Sequence, residues 1–347
     1  MKKQLIIPDR SVYDNLKICV KEYGSLCALD YFGREISYRE LIREINRCAC
    51  ALVACGINRG DVVSVCLPNI PQAVYLLYAI NKLGAVSDII DPYIGENDII
   101  ARVEQSGSRY IFALDTIYEK IETLNSKLNV SLLVTASVSD EMPIIMKTGH
   151  ILKNFGIKKR RSLFMDWNSF ISKASPSDRY ISAHSTGNTI WAFISEGSDT
   201  VQYCKVSNKK FNDFAVYCLD MCGNIEKADR VLAVIPISQA FGICTCIHSV
   251  FSVGGTAVIL PNFNNNDIDK AILRYLPNVI AGDSGMYRAL CERKGFDGED
   301  LSFINTAIMT GQFDDDLKKH VREHLSSNGS ICEICELKSL TEFVKAE

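Results

Sequence analysis

No apolar run in this sequence approaches the ~20 residues that a membrane-spanning helix requires, because charged side chains interrupt every candidate. An export signal is missing as well: Met1-Lys2-Lys3-Gln4 is basic, but the apolar stretch behind it is only Leu5 to Ile7. Nor does one sign of charge dominate. The 38 basic and 41 acidic residues leave a formal net charge of -3, which gives no general field for gathering nucleic acid or anionic lipid. There is no repeat at a fixed short period, which sets aside solenoids and propellers. Disorder is excluded from the other direction, since 47% of the 347 residues are hydrophobic and can bury a large core in two or three compact units.

Cysteine is plentiful, with 14 in the chain. Without a secretory signal, these residues read as reduced thiols serving as small core side chains in a reducing compartment, which places the protein in the cytoplasm.

Short β-rich runs alternate with amphipathic stretches, the pattern of an α/β fold with largely parallel sheets. Leu41, Ile42, Ile45, Cys48, Leu52 and Val53 recur at helical spacing, so a helix is expected over Tyr38 to Ala54, stopped by Gly56. Asp61 to Leu67 reads as a buried strand, followed by a helix from Gln72 to about Leu83 that Gly84 closes. Further strands are expected at Tyr110–Leu114, Ser131–Thr135, Thr189–Ser195, Arg230–Ile235, Thr256–Leu260 and Asn305–Met309. Turn formers between Ser172 and Gly187 mark the join of two α/β lobes, 1–180 and 181–347. Within 144–163, the stretch 147–161 carries six basic and no acidic residues. It reads as a solvated excursion, with peripheral contact to anionic lipid as the alternative.

Several blocks then fall in order. Ile36-Ser37-Tyr38-Arg39-Glu40-Leu41 is, by itself, a capped helix start. Gly60-Asp61-Val62-Val63-Ser64-Val65-Cys66-Leu67-Pro68-Asn69 and Lys82-Leu83-Gly84-Ala85-Val86 follow it. Later come Pro236-Ile237-Ser238-Gln239-Ala240-Phe241-Gly242, Val253 to Pro261, Gly282 to Tyr287, Thr310-Gly311 and Leu340-Thr341-Glu342. In order and spacing this series resembles the large domain of the adenylate-forming (acyl-CoA synthetase, AMP-binding) superfamily, from about residue 11 to 342. The resemblance implies two Rossmann-like lobes with largely parallel sheets. It also implies ATP-dependent adenylation of a small-molecule carboxylate, such as a fatty or other acyl acid, followed by transfer of the acyl group to the thiol of CoA.

The resemblance assigns roles residue by residue. Ser195, Gly197, Ser198 and Thr200 stand in the phosphate loop, where glycines let backbone N–H groups turn inward and hydroxyls add donors. Gly311 stands where a glycine approaches adenine. Thr341 and Glu342 occupy the catalytic pair at the α-phosphate, with Glu342 as the Mg²⁺ ligand, since a hard cation needs a carboxylate oxygen. Ser238, Gln239 and Gly242 would wall the acyl pocket.

The chemistry departs from the family at decisive positions. Glu196 and Asp199 replace glycines of the phosphate loop, and Gln202 replaces its lysine. Each carboxylate 4 Å from a unit of phosphate charge costs about 1 kcal/mol in water and roughly 4 at an effective dielectric near 20. Lys338 replaces the tyrosine that stacks on adenine. The family's ribose-binding aspartate, hinge and lid lysine would lie beyond Glu347, so the C-terminal lid domain is expected to be absent. These changes imply a catalytically deficient chain with weak or lost ATP binding. The alternative is a pseudoenzyme or fragment that binds an acyl group, a nucleotide or a partner protein.

Two other patterns carry less. Gly282-Asp283-Ser284-Gly285 copies a serine-nucleophile signature in the wrong structural setting. His320 and His324, with Cys332 and Cys335, suggest zinc, but the gap between the pairs is short.

Overall fold

The computed structural model describes residues 6–144, 146, 164–175, 185–195, 203–222, 225–293, 299–311, 313–326, 333–337 and 340. Two seven-stranded sheets form its frame, ordered β7-β6-β5-β3-β4-β8-β9 and β14-β13-β12-β10-β11-β1-β2. The first sheet comprises β3 (Val62–Cys66), β4 (Val86–Ile89), β5 (Tyr110–Leu114), β6 (Leu132–Ala136), β7 (Met165–Asp166), β8 (Ile190–Ile194) and β9 (Cys204–Ser207). The second comprises β1 (Cys27–Tyr31), β2 (Arg34–Ser37), β10 (Arg230–Ala233), β11 (Thr256–Ile259), β12 (Val279–Asp283), β13 (Thr306–Thr310) and β14 (Glu333–Leu337). All pairings are parallel except β1–β2 and β8–β9, which each form an antiparallel edge. This is the α/β fold of two largely parallel sheets that the alternating pattern announces.

Sheet membership does not follow chain order. β1 and β2 join the later strands through the parallel pairing of β1 with β11, while β8 and β9 return to the first sheet through β4. Each sheet therefore takes strands from both sides of residue 180.

The inner strands β3, β5, β10 and β11 are nearly continuous buried runs because both of their faces are covered. Helix α1 (Val12–Tyr23) starts on Ser11, whose side chain accepts from the Asp14 backbone N–H. Helix α2 (Tyr38–Ala54) is capped by Ser37, which accepts from the Glu40 N–H. Helix α3 (Pro71–Leu83) is buried along its whole length and ends at Gly84 with φ 71°, a left-handed stop that glycine adopts without strain. Helix α4 (Glu96–Ser106) ends the same way at Gly107. No helix among the described residues is long and apolar enough to cross a membrane.

One continuous core joins the two sheets through α1, α2 and α3. Buried polar side chains fix how these parts meet. Tyr38 donates from α2 to the Gly255 carbonyl at 2.7 Å, which explains the tyrosine in the capped-helix motif. Asn208 accepts from the Val12 N–H at 3.2 Å and from Asn81 at 2.7 Å, while Asn81 accepts from the Tyr13 N–H at 2.9 Å. Asn212 donates to the carbonyls of Pro8 and Arg10, so its oxygen faces His248 Nε2 at 3.0 Å, and that nitrogen carries the hydrogen. Tyr78 donates to Nδ1 at 2.9 Å. Complete burial lowers the His248 pKa to about 3 and holds the ring neutral.

The described cysteines are free thiols, most of them buried. Burial raises the pKa of Cys66 and Cys246, which keeps them as inert packing groups. His320 and His324 share the helix Asp315–Leu325, where His320 Nδ1 lies 3.5 Å from Asp316. Cys332 and the basic stretch 147–161 lie outside the described residues.

Candidate active site at the carboxyl ends of both sheets

In parallel α/β sheets the loops leaving the carboxyl ends of strands form the binding crevice. Here both sheets turn those ends toward one crevice. A cavity of about 190 Å³ is lined by the segments that follow β3, β4, β10 and β11 and by Asp283 at the end of β12.

Asn69 sets the crevice walls. It follows β3 in the Leu67-Pro68-Asn69 block and is 3% exposed. Its amide nitrogen donates to the carbonyls of Ala233 and Ile235 at 3.1 and 3.0 Å, and its oxygen accepts from the Ile237 N–H at 2.8 Å. A side chain from one sheet thereby satisfies three backbone groups leaving the other. Tyr93 makes a second crossing: its hydroxyl donates to the Pro261 carbonyl at 3.1 Å.

The three proposed acyl-wall residues occupy different surroundings. Ser238 is 5% exposed and lines the cavity. Gln239 is exposed and forms a parallel β-bridge with Ser195. Gly242 is buried, and a Cβ there would lie 2.1 Å from the Pro236 carbonyl oxygen, so the glycine permits close packing of the Pro236 segment.

Ser195 follows β8 at the root of the loop read as phosphate-binding. Its bridge to Gln239 brings that root against the second sheet. Its hydroxyl also accepts from Arg102 Nη1 at 3.0 Å. Arg102, on α4, is completely buried and pairs with the equally buried Asp88 of β4 at 2.7 Å. Ser64 donates to the other Asp88 oxygen at 3.0 Å. The guanidinium also lies 4.1 Å from the centre of the Tyr203 ring, which stacks on Phe193 at 4.6 Å. Burial pushes the Asp88 pKa up, and Arg102 opposes that shift. One cation thus holds both Ser195 and Tyr203, the described residues that flank the loop.

Gly311 follows β13 at the same edge with φ 95°, and no atom of the described residues lies within 4 Å of the place a Cβ would take. Leu337 ends β14 in register with Thr310, and the buried Leu340 follows. Gly197, Ser198, Thr200, Thr341 and Glu342 lie outside the described residues, as do Glu196, Asp199, Gln202 and Lys338.

The Arg102–Asp88 pair was not among the residues singled out from sequence. Its signal was present: Asp88 interrupts the apolar run of β4, and Arg102 shares a helix face with the buried Ile99 and Val103. Charges on two apolar faces imply a buried pair, because neither is stable there alone.

Residues 17–159 match the AMP-binding enzyme family model. The match takes in less than half of the chain, and that part is similar to the adenylate-forming enzymes. Over 324 residues it is 20% identical to a long-chain-fatty-acid–CoA ligase of Bacillus subtilis, covering 88% of this chain and 56% of that protein. Over 166 residues it is 31% identical to the acetyl-coenzyme A synthetase of Salmonella typhi, covering 45% of this chain and 25% of that protein. Among solved structures, an anthranilate CoA ligase, AuaEII, in complex with anthranoyl-AMP superposes with TM-score 0.81 at 18% identity, over 97% of this chain and 60% of the other. The chain therefore spans about half, or less, of the length of these curated relatives, and its two sheets match the large domain of acyl-CoA ligase structures.

Proposed function

We propose that this chain is the acyl-activating part of an acid–thiol ligase of the acyl-CoA synthetase type. In that chemistry a carboxylate oxygen attacks the α-phosphorus of ATP, pyrophosphate leaves, and the thiol of CoA then displaces AMP from the acyl carbon. The observation that carries this reading is the bridge between Ser195, at the root of the loop read as phosphate-binding, and Gln239, read as part of the acyl wall.

Ser195, Gly197, Ser198 and Thr200 would hold the phosphates, Gly311 would admit the adenine, and Ser238 with Gln239 would meet the acyl group. Thr341 and Glu342 would act at the α-phosphate. Mg²⁺ would rest on Glu342 and the triphosphate itself, since a hard cation takes oxygen ligands.

A second reading, binding without turnover, is favoured by Glu196, Asp199 and Gln202, which remove glycines and the cation from the phosphate loop. Calorimetry with ATP and Mg²⁺, paired with pyrophosphate exchange across a panel of carboxylic acids, separates the two. Weak nucleotide binding with very slow exchange is expected. Exchange at rates of about 1 s⁻¹ or more, in the usual range of enzymes, would refute catalytic deficiency. Absence of ATP binding at millimolar concentration would remove the nucleotide-binding reading.

A further inference from the structure

The crevice cavity carries information about its ligand that the family resemblance does not. Its volume of about 190 Å³ is only slightly larger than a cavity of ~150 Å³ that holds benzene, so it takes a group of roughly six to eight non-hydrogen atoms.

The charge of the lining is one-sided. Among the described lining residues are Asp91 and Asp283 and no lysine, arginine or histidine. Asp91 Oδ1 accepts from the Tyr93 N–H at 2.9 Å, and Asp283 Oδ1 accepts from the Met286 N–H at 2.8 Å. The second oxygen of each has no hydrogen-bond partner among the described residues. The hydroxyl of Ser238, 5% exposed against the same cavity, has none either. A nearly buried hydroxyl without a partner is expensive unless a ligand or water completes it. Asp91 is half-buried and Asp283 exposed, and with no cationic side chain among the described lining residues the two carboxylates repel an anionic group and attract a cation.

We propose that this cavity receives the ammonium end of a small amino-bearing carboxylic acid, with Asp91 and Asp283 as its counter-charges and Ser238 as a hydrogen-bond partner. The carboxylate end then points toward Gln239, next in the chain to Ser238 and bridged to Ser195 at the loop root. This inference names the substrate class of the site proposed above and rests on that reading for the carboxylate end. The cavity assignment itself rests only on volume, charge and the unpaired groups.

The test is calorimetry on the full chain with 4-aminobutyrate, with pentanoate, in which a methyl replaces the ammonium, and with palmitate, each with and without ATP and Mg²⁺. The expected result is binding of 4-aminobutyrate about tenfold or more tighter than pentanoate. That preference should fall below about threefold in Asp91→Asn or Asp283→Asn. Asparagine keeps the acceptor oxygen that each aspartate presents to its backbone N–H, so these variants remove charge without removing the turn or the helix cap. Equal or tighter binding of pentanoate or palmitate overturns the proposal, as does failure of all three acids to bind or an undiminished preference in both variants. Lost ATP binding with the amine preference intact would sink the adenylation reading and support the cavity assignment. Intact ATP binding without the preference would do the reverse.

Discussion

Arg102 and Ser195, 93 residues apart, are joined by a 3.0 Å hydrogen bond from a guanidinium that solvent does not reach. The same guanidinium faces Tyr203, so the fold spends a buried ion pair on fixing the two flanks of one loop. Removing Arg102 alone leaves Asp88 as an uncompensated buried charge. Arg102→Met is expected to cost about 3–5 kcal/mol, and the double variant with Asp88→Leu to cost less than the single one. Urea unfolding of the two variants checks the ordering. A double variant weaker than Arg102→Met would show that the pair contributes stability beyond mutual neutralisation.

Asn69 offers a different kind of test, because it satisfies backbone rather than charge. Asn69→Ala leaves the Ile237 N–H and two carbonyls without their partner. The expected loss is about 3 kcal/mol, from penalties of roughly 1–3 kcal/mol for each buried group left unpaired. Because Ile237 precedes Ser238, acyl-ligand affinity should fall along with the unfolding midpoint. A change in midpoint with ligand affinity untouched would separate Asn69 from the site.

His248 should make stability depend on pH. Its folded pKa of about 3 lies below the ordinary value of 6.5, so the unfolded chain binds the extra proton first. The contribution is nil well above pH 6.5. It becomes increasingly destabilising as pH falls from 6.5 toward 3, at up to about 1.4 kcal/mol per pH unit, and is constant below that window. Stability difference curves between the wild type and His248→Gln, measured from pH 8 to 4, should show this slope. Parallel curves would contradict it.

The loop read as phosphate-binding offers a further test. Replacing Glu196 and Asp199 by glycine and Gln202 by lysine together should tighten ATP binding about tenfold or more, since each removed carboxylate relieves about 1 kcal/mol or more of repulsion. Titration calorimetry at two salt concentrations would show the gain shrinking as salt rises. An unchanged affinity would mean that this loop does not meet the triphosphate.

Much of the frame was legible from local pattern. The helix Tyr38–Ala54 carries an apolar face at 3.6-residue spacing, and β5 and β10 are apolar runs of strand length bounded by turns. The Leu-Pro-Asn block was legible as a motif, but its reason was not. The hydrogen bonds of Asn69 reach 164 to 168 residues along the chain, beyond anything periodicity records. The pairing of β1 with β11 was hidden for the same cause: which distant strands meet depends on the packing of whole faces, which neither strand's own pattern records. Ser238, read as an acyl-wall residue, lines the cavity, whereas the carboxylates Asp91 and Asp283 share it only because five strand ends converge there.

The exchange of strands between the sheets also bears on synthesis. Cys27 and Thr256 are bonded across 229 residues. At ribosomal rates of about 5–20 residues per second, β1 must wait roughly 10–45 s before its parallel neighbour is made. During that interval Leu29 and Tyr31 belong to a hairpin with one unprotected edge, the kind of surface that recruits other strands. The nascent chain is therefore most exposed to aggregation before β11 emerges, and holding chaperones would act on the hairpin formed by residues 27–37.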